Sequence, residues 1–498
     1  MIMQKDLNQI SSIIEAVKKQ LTNGDIRTAK EWIAQLEALS QNTLDVNLQF
    51  QAYVTIAKYY RRIRNYDESA GRFRKALNMV SAIDQKELAK VIIDAHLVYI
   101  TLETEYNQLK KARTTVAKLL DWLDKNRPDD HLAYGLTYRS LGNIFFADDD
   151  IQGGIKQMEK ALAYFYKIYP DTHPVTLDVI NIISNAYIKI ENFESARLPY
   201  EKLLQEYQKR NDQAEVASTL LKIGEIYYYT NLKQARSSIM KALKIFEETF
   251  EAGHEDIIKA LMMLGEIDEN IGNYPRAVNY YQKALGQILT TRQNTDAIVV
   301  YTYAKIGMIL IKMDKLAEAK SYLEEGLTLS ENFPNIRLQF LYGLGKIYSF
   351  EKNYDAAFVI FREFLQRLEA SGHKYCKSYA NTLQAIAFND LEQQKLNEAL
   401  KHYCEALSIY EKLVSTSCRE EKGLAYIRLG YCYEHIEEKD LKKAEQSYEK
   451  GFRILDKVND TGLLEEALAA MIDFYNRTNQ PKKRKIYEDK LVKLQTRD

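Results

Sequence analysis

The chain has 498 residues with only 7 prolines and 20 glycines, which excludes collagen-like proteins and argues against an all-β fold built on turns. Apolar residues make up 46% and charged residues 28% of it, a balance that argues against extensive disorder. Its 69 basic and 69 acidic residues cancel, so the excess of positive charge typical of a nucleic-acid-binding protein is missing.

The N-terminal segment lacks the apolar core of a signal peptide, and the four cysteines all lie in the last quarter without a CxxC pair. These features indicate a reduced, cytoplasmic protein. Residues 10–36 place Gly24, Ala29 and Ile33 at a spacing that recurs further along the chain. We therefore assign residues 1–50 to a degenerate N-terminal repeat or cap and not to a DNA-binding helix-turn-helix.

Residues 51–460 contain a repeat of about 41 residues, the kind of period that marks stacked helical units. One small residue recurs in the first helical stretch of each unit. From Gly142 to Gly430, successive small residues are separated by 42, 40, 41, 42, 38, 42 and 43 positions. Ala57 lies two periods before Gly142. The series is Ala57, Gly142, Ser184, Gly224, Gly265, Gly307, Gly345, Ala387 and Gly430.

A second series of small residues lies in the downstream helical stretch, and a large apolar residue usually follows four positions later, as Tyr281 follows Ala277. Two antiparallel helices approach closely only where side chains are small, and the large residue then fills the space beside the contact. The second series is Ser69, Ala112, Gly154, Ala196, Ala235, Ala277, Ala319, Ala357, Ala399 and Ala444. Residues 461–498 are predicted to form a C-terminal capping repeat.

This pattern resembles the tetratricopeptide repeat, most clearly in LGEIDENIGNYPRAVNYYQKAL at 264–285. The standard period is 34 residues, and the longer unit is similar to those of kinesin light chains and of Rap-type bacterial peptide receptors. The resemblance implies an all-α fold: a right-handed α-solenoid (superhelix) of about twelve helical hairpins. It also implies that the first helix of each hairpin lines a concave groove.

In that family the residues three before and one after the small residue point into the groove. The resemblance therefore implies a peptide-binding groove, because asparagine can bond both the N–H and the C=O of an extended peptide. At those positions the implied groove residues are Arg139, Asn143, Asn181, Asn185 and Glu225; Lys222, two before Gly224, lies at the groove edge, and Tyr228 and Tyr229 lie further along. Further along, the groove would present Met262, Tyr301, Tyr342 and Phe388.

Three functions stay open. The favoured one is a non-enzymatic scaffold that binds a protein or peptide. The second is a Rap-like receptor for a short signalling peptide that regulates a response regulator or transcription factor. The third is an enzyme-like activity that uses a glutamine near the N-terminus (Gln4, Gln9 or Gln20). We expect no cofactor, no metal, no direct nucleic-acid contact and no membrane insertion, and we allow for a homo-oligomer.

Overall fold

The computed structural model describes residues 2–41, 43–413, 418–458 and 460–496, with side chains from residue 7 onward, so the side chain of Gln4 lies outside the description. The described residues form 24 α-helices and one short 3₁₀ turn, Val80–Ala82, and contain no strand. The predicted all-α fold of helical hairpins is therefore confirmed.

The helices pair in sequence, and the first of each pair has an odd number. The odd-numbered helices are α1 (Ile2–Asn23), α3 (Val46–Arg62), α5 (Ala89–Glu105), α7 (His131–Ala147), α9 (Pro174–Lys189), α11 (Gln213–Tyr227), α13 (Glu255–Asn270), α15 (Ala297–Lys312), α17 (Pro334–Phe350), α19 (Lys377–Glu392), α21 (Arg419–His435) and α23 (Thr461–Arg477). The even-numbered helices are α2 (Ile26–Ser40), α4 (Tyr66–Asn78), α6 (Leu109–Asn126), α8 (Ile151–Phe165), α10 (Phe193–Arg210), α12 (Leu232–Thr249), α14 (Tyr274–Leu289), α16 (Leu316–Leu329), α18 (Tyr354–Ala370), α20 (Leu396–Tyr410), α22 (Leu441–Leu455) and α24 (Pro481–Gln495).

The chain divides into two compact units, 1–242 and 243–498. In each unit, odd-numbered helices contact the next odd-numbered helix, as α1, α3, α5 and α7 do in the first unit and α15, α17, α19, α21 and α23 do in the second. Within each of these two sets the odd-numbered helices therefore lie side by side and share one face, and an ion pair between Arg139 and Asp178 joins α9 to the first set. We call this shared face the A face of each unit.

The turns inside the hairpins have a common chemistry. The turn before α4 has Arg64 at φ 60°, and the turn before α14 has Gly272 at φ 81°. The next residue, Asn65 or Asn273, caps the following helix by accepting a backbone N–H through its side chain. Since capping oxygens satisfy N–H groups that have no partner inside the helix, these two turns start α4 and α14 at a fixed residue.

Both series of small residues are buried, as the sequence predicts. A Cβ atom added to Gly345 would lie 2.4 Å from the ring of Phe361, and one added to Gly307 would lie 2.4 Å from Leu323. Phe361 and Leu323 are the large residues that follow Ala357 and Ala319 by four positions. The large residues of one helix therefore occupy the space that the small residues of its partner leave open.

No helix within the described ranges is both long and apolar enough to cross a membrane.

Candidate functional site

Arg139 and Asn143 lie on α7, the first pair of predicted groove residues. The guanidinium of Arg139 forms a 2.7 Å ion pair with Asp178 on α9, so this arginine bridges two neighbouring odd-numbered helices. Asn143 is exposed one helical turn further on. Of this pair, Asn143 is the side chain that remains open to a ligand.

Asn181 and Asn185 lie at the equivalent positions on α9 but have different environments. The hydroxyl of Tyr200 on α10 donates to Oδ1 of Asn181 at 2.5 Å, so the amide of Asn181 helps to hold its own hairpin together. Asn185 is exposed. Asn143 and Asn185 thus occupy matching places, one repeat apart, on the A face of the first unit.

The remaining predicted residues lie on and just beyond α11. Lys222 donates to Glu225 at 3.1 Å along the same helix. Tyr228 and Tyr229 follow the last residue of α11, with the Tyr229 ring stacked on Phe193 at a centroid distance of 5.6 Å. These residues lie along the same three odd-numbered helices, and their role in binding stays a prediction.

The second unit contains a better-formed site, a cavity of about 400 Å³ that we call the amide cavity. Its walls come from three successive odd-numbered helices, α17, α19 and α21, and α18 and α20 add one residue each. Its wall includes Tyr342, Lys346, Ser349, Phe350, Asn381, Gln384, Phe388, Asn389, Tyr403 and Arg428.

The repeat register explains which side chains reach this cavity. Tyr342 and Lys346 stand three before and one after Gly345, and Gln384 and Phe388 stand in the same relation to Ala387. All four line the amide cavity. In these two repeats, the side chains three residues before and one residue after the small residue therefore lie on the A face.

Three side-chain amides, Asn381, Gln384 and Asn389, contribute to the polar part of the wall. The hydroxyl of Tyr410 lies 2.6 Å from the amide oxygen of Asn381 and 2.8 Å from that of Gln384. A hydroxyl carries one hydrogen and can donate it to only one of them. The second amide must therefore either turn its NH₂ toward Tyr410 or satisfy its oxygen elsewhere, which leaves hydrogen-bonding capacity at the cavity.

Three further wall residues hold buried polar atoms without a hydrogen-bond partner among the described residues: the Tyr403 hydroxyl, Oδ1 of Asn389 and Nε of Arg428. At the equivalent helix position in other repeats the tyrosine hydroxyl is satisfied, by Asn181 for Tyr200 and by Glu434 for Tyr448. A buried polar group without a partner costs about 1–3 kcal/mol. Each such group needs an explanation, and a ligand bound in the cavity would supply one.

Lys346 gives the cavity its charge. Burial lowers the pKa of its ammonium group, which lies 5.8 Å from the centre of the Tyr342 ring and has no carboxylate within ion-pair distance among the described residues. The other two charged wall residues are compensated, since Arg428 pairs with Glu466 and Glu421 pairs with Lys377. An anionic ligand group at Lys346 would restore favourable charge pairing.

The sequence analysis placed Tyr342 and Phe388 in the groove but missed Lys346, Gln384 and Asn389. Lys346 and Gln384 occupy the same register positions as the residues chosen in the first unit, so applying the register to every repeat would have found them. Asn389 is buried and bonds Ser349 of the neighbouring repeat, and no sequence signal marks it.

Comparison with known proteins agrees with this architecture. Residues 215–287 and 300–333 match family models described as tetratricopeptide repeat. Kinesin light chain-related protein 2 of Arabidopsis thaliana is 24% identical over 197 residues, which is 39% of this chain and 29% of that protein. The chain spans 29% to 36% of the length of the three kinesin light chain-related relatives that it matches.

Response regulator aspartate phosphatase H of Bacillus subtilis is 23% identical over 231 residues, 44% of this chain and 60% of that protein. The crystal structure of aspartyl phosphate phosphatase F from B. subtilis has a TM-score of 0.44 and 12% sequence identity, and covers 81% of this chain and 94% of that chain. Residues 215–287 and 300–333 therefore resemble tetratricopeptide repeats, and parts of the chain are similar to kinesin light chain-related proteins and to response regulator aspartate phosphatase H.

Proposed function

We propose that this chain is a non-enzymatic binding protein that holds an extended peptide segment of a partner on the A face, with the amide cavity as its principal anchor. The observation that carries the proposal is the set of side chains with unused hydrogen-bonding capacity in one cavity on that face. A folded protein gains nothing from leaving such groups unsatisfied, whereas a ligand that satisfies them gains both affinity and orientation.

An extended peptide fits the wall chemistry. Its backbone presents one N–H and one C=O per residue, and neither is satisfied internally in an extended conformation. Asn381, Gln384 and Asn389 on α19 offer side-chain amides that can donate to and accept from such a backbone. The amide cavity therefore suits a ligand that still needs backbone partners.

The aromatic residues add apolar contact area at the same place. Phe388 and Phe350 are exposed by 39% and 59%, and Tyr342 lies beside Lys346. Aromatic side chains at an interface bury much surface for little loss of conformational entropy. We expect the bound segment to place an apolar side chain against these rings and a carboxylate at Lys346.

The runner-up function is a Rap-like intracellular receptor for a short signalling peptide, which then regulates a response regulator or transcription factor. Its support is the similarity to a protein named response regulator aspartate phosphatase H. Both functions place a peptide on the A face. They differ in whether the bound peptide changes the affinity for a second protein.

The test is selection of short random peptides that bind the full chain, followed by affinity measurement with Lys346→Met and Phe388→Ala. We expect each variant to weaken the selected peptides at least about tenfold, which corresponds to about 1.4 kcal/mol. Matched controls are Lys401→Met and Phe358→Ala, which change an exposed lysine and an exposed phenylalanine on even-numbered helices.

Peptides that bind with equal affinity to the cavity variants and the controls would refute the anchor. A selection from which no peptide that binds the full chain emerges would refute the proposed function as a whole. A peptide that binds and also changes the affinity for a purified response regulator would favour the receptor over the scaffold.

A further inference from the structure

The A face of the first unit carries a second groove whose chemistry differs from that of the amide cavity. Two adjoining depressions of about 680 and 580 Å³ share Lys58, Arg61 and Arg62 in their walls. The larger one is lined by residues of α1, α3 and α5, which are successive odd-numbered helices. We call the two together the cationic groove.

The floor of the cationic groove is aliphatic. Leu21 from α1, Val54 from α3, and Val91 and Val98 from α5 line the larger depression. Val54 and Lys58 stand three before and one after the small residue Ala57, the same register that places side chains in the amide cavity. The groove therefore lies on the A face of its unit.

The rim is strongly basic although the chain as a whole is neutral. Lys58 pairs with Asp94, and Arg61 pairs with Glu105 at 2.6 Å. Arg62, Arg64 and Lys90 line the groove, are exposed, and form no ion pair within the described residues. Arg62 and Lys90 stand uncompensated in the depression with the aliphatic floor and Arg64 stands in the adjoining one, so the rim favours an acidic partner.

The scarcity of side-chain amides in the wall indicates the conformation of that partner. An extended peptide needs groups that bond its backbone, and Gln51 is the one side-chain amide in the larger depression. An α-helix satisfies its backbone internally and needs only an apolar surface for one face and charge partners for the other. The aliphatic floor suits the apolar face of an amphipathic helix, and the basic rim suits acidic residues beside that face.

We propose that the cationic groove is a docking site for an acidic amphipathic helix of a partner protein. Its binding energy comes from Leu21, Val54, Val91 and Val98 below the helix, and the free cations at the rim fix its orientation. The site is distinct from the amide cavity, which lies in the other unit and offers amides where this groove offers charge.

The test uses the full chain and three synthetic probes, each carrying a fluorophore. The first is a helical peptide with leucine on one face and glutamate on the flanks. The second has the same composition in an order that abolishes the apolar face, and the third is a single-stranded oligonucleotide. We expect the first probe to bind, the second to bind at least tenfold more weakly, and affinity for the first to fall as salt is raised.

The decisive variant is Arg62→Glu combined with Lys90→Glu, which reverses two unpaired rim charges on exposed residues. It should weaken the helical probe at least tenfold. The matched control, Lys30→Glu with Lys75→Glu, makes the same charge change at exposed positions of α2 and α4 and should have no such effect.

Equal binding of the ordered and reordered peptides would overturn the proposal, because charge alone would then explain binding. Equal weakening by the control would overturn it too, since the effect would be one of net charge. Tighter binding of the oligonucleotide would assign the groove to nucleic acid instead. None of these results bears on the amide cavity, which Lys346→Met tests separately.

Discussion

The hydroxyl of Ser184 on α9 donates a 3.0 Å hydrogen bond to the backbone carbonyl of Ala196 on α10, twelve residues further along the chain. In the hairpin of α3 and α4 the roles are reversed, and Ser69 donates to the carbonyl of Ala57 at 2.8 Å across the same separation. These bonds join the two small residues that face each other. In these two hairpins, the point at which the two helices come closest is therefore both tightly packed and hydrogen-bonded.

This contact predicts losses of stability of different size for two substitutions at Ser184. Ser184→Ala keeps the small volume and loses one buried hydrogen bond, so we expect a loss of about 0.5–1.5 kcal/mol. Ser184→Val adds volume at the closest approach and should cost more, about 1–3 kcal/mol beyond that loss. Urea unfolding of both variants measures the difference, and a valine variant as stable as the alanine variant would contradict the packing.

Glycines inside helices provide a matched comparison of the same kind. Gly345→Ala places a Cβ atom 2.4 Å from the Phe361 ring, whereas Gly286→Ala on α14 meets no atom within 4 Å. We expect the first to destabilise by about 1–3 kcal/mol and the second to stabilise by up to about 1 kcal/mol through helix propensity. Thermal unfolding decides, and equal shifts in Tm would argue against close approach at Gly345.

Replacement of the two asparagines of α9 should have different effects on stability, because Asn181 holds its hairpin together and Asn185 is exposed. Asn181→Ala removes the acceptor of the buried Tyr200 hydroxyl and should cost about 1–3 kcal/mol. Asn185→Ala changes an exposed side chain and should stay within about 0.5 kcal/mol of the parent. If a selected peptide extends over this part of the A face, Asn185→Ala combined with Asn143→Ala should weaken it while leaving Tm unchanged.

Glu103 predicts a dependence of stability on pH. Burial raises the pKa of this carboxyl group, against the opposing hydrogen bonds from Thr115 and Tyr99. Between its ordinary pKa of about 4.3 and the raised value, the folded state holds more protons than the unfolded state, so the contribution of Glu103 to stability falls as pH rises. Glu103→Gln keeps an acceptor for Thr115 and removes the titration.

We therefore expect the free energy of unfolding of Glu103→Gln to gain on that of the parent as pH rises from about 4 to 7. Denaturant titrations of both proteins at several pH values measure this gain. A constant difference across the range would show that Glu103 does not titrate differently in the folded state.

Much of the fold is predictable because residues close together in the sequence specify the packing of one hairpin, and the same pattern recurs in the others. Small residues at Gly307 and Ala319, with Leu323 one turn later, specify a close contact without reference to the rest of the chain. The same rule sets the register of Tyr342 and Phe388 on the A face. The sequence analysis therefore identified the hairpins and two residues of the amide cavity.

The sequence alone determined that the chain builds helical hairpins, because a helix places residues three, four and seven apart on one face whatever its surroundings. The choice of groove positions rested on the resemblance to the tetratricopeptide repeat. Only the tertiary structure decided which groove residues remain available. Asn181 is taken by Tyr200, and Arg139 by Asp178 of the next repeat. Among the residues that the structure describes, Lys346 has no ion-pair partner and the Tyr403 hydroxyl has no hydrogen-bond partner. Those outcomes depend on side chains brought together from different helices, whose hydrogen bonds and charges no local pattern specifies.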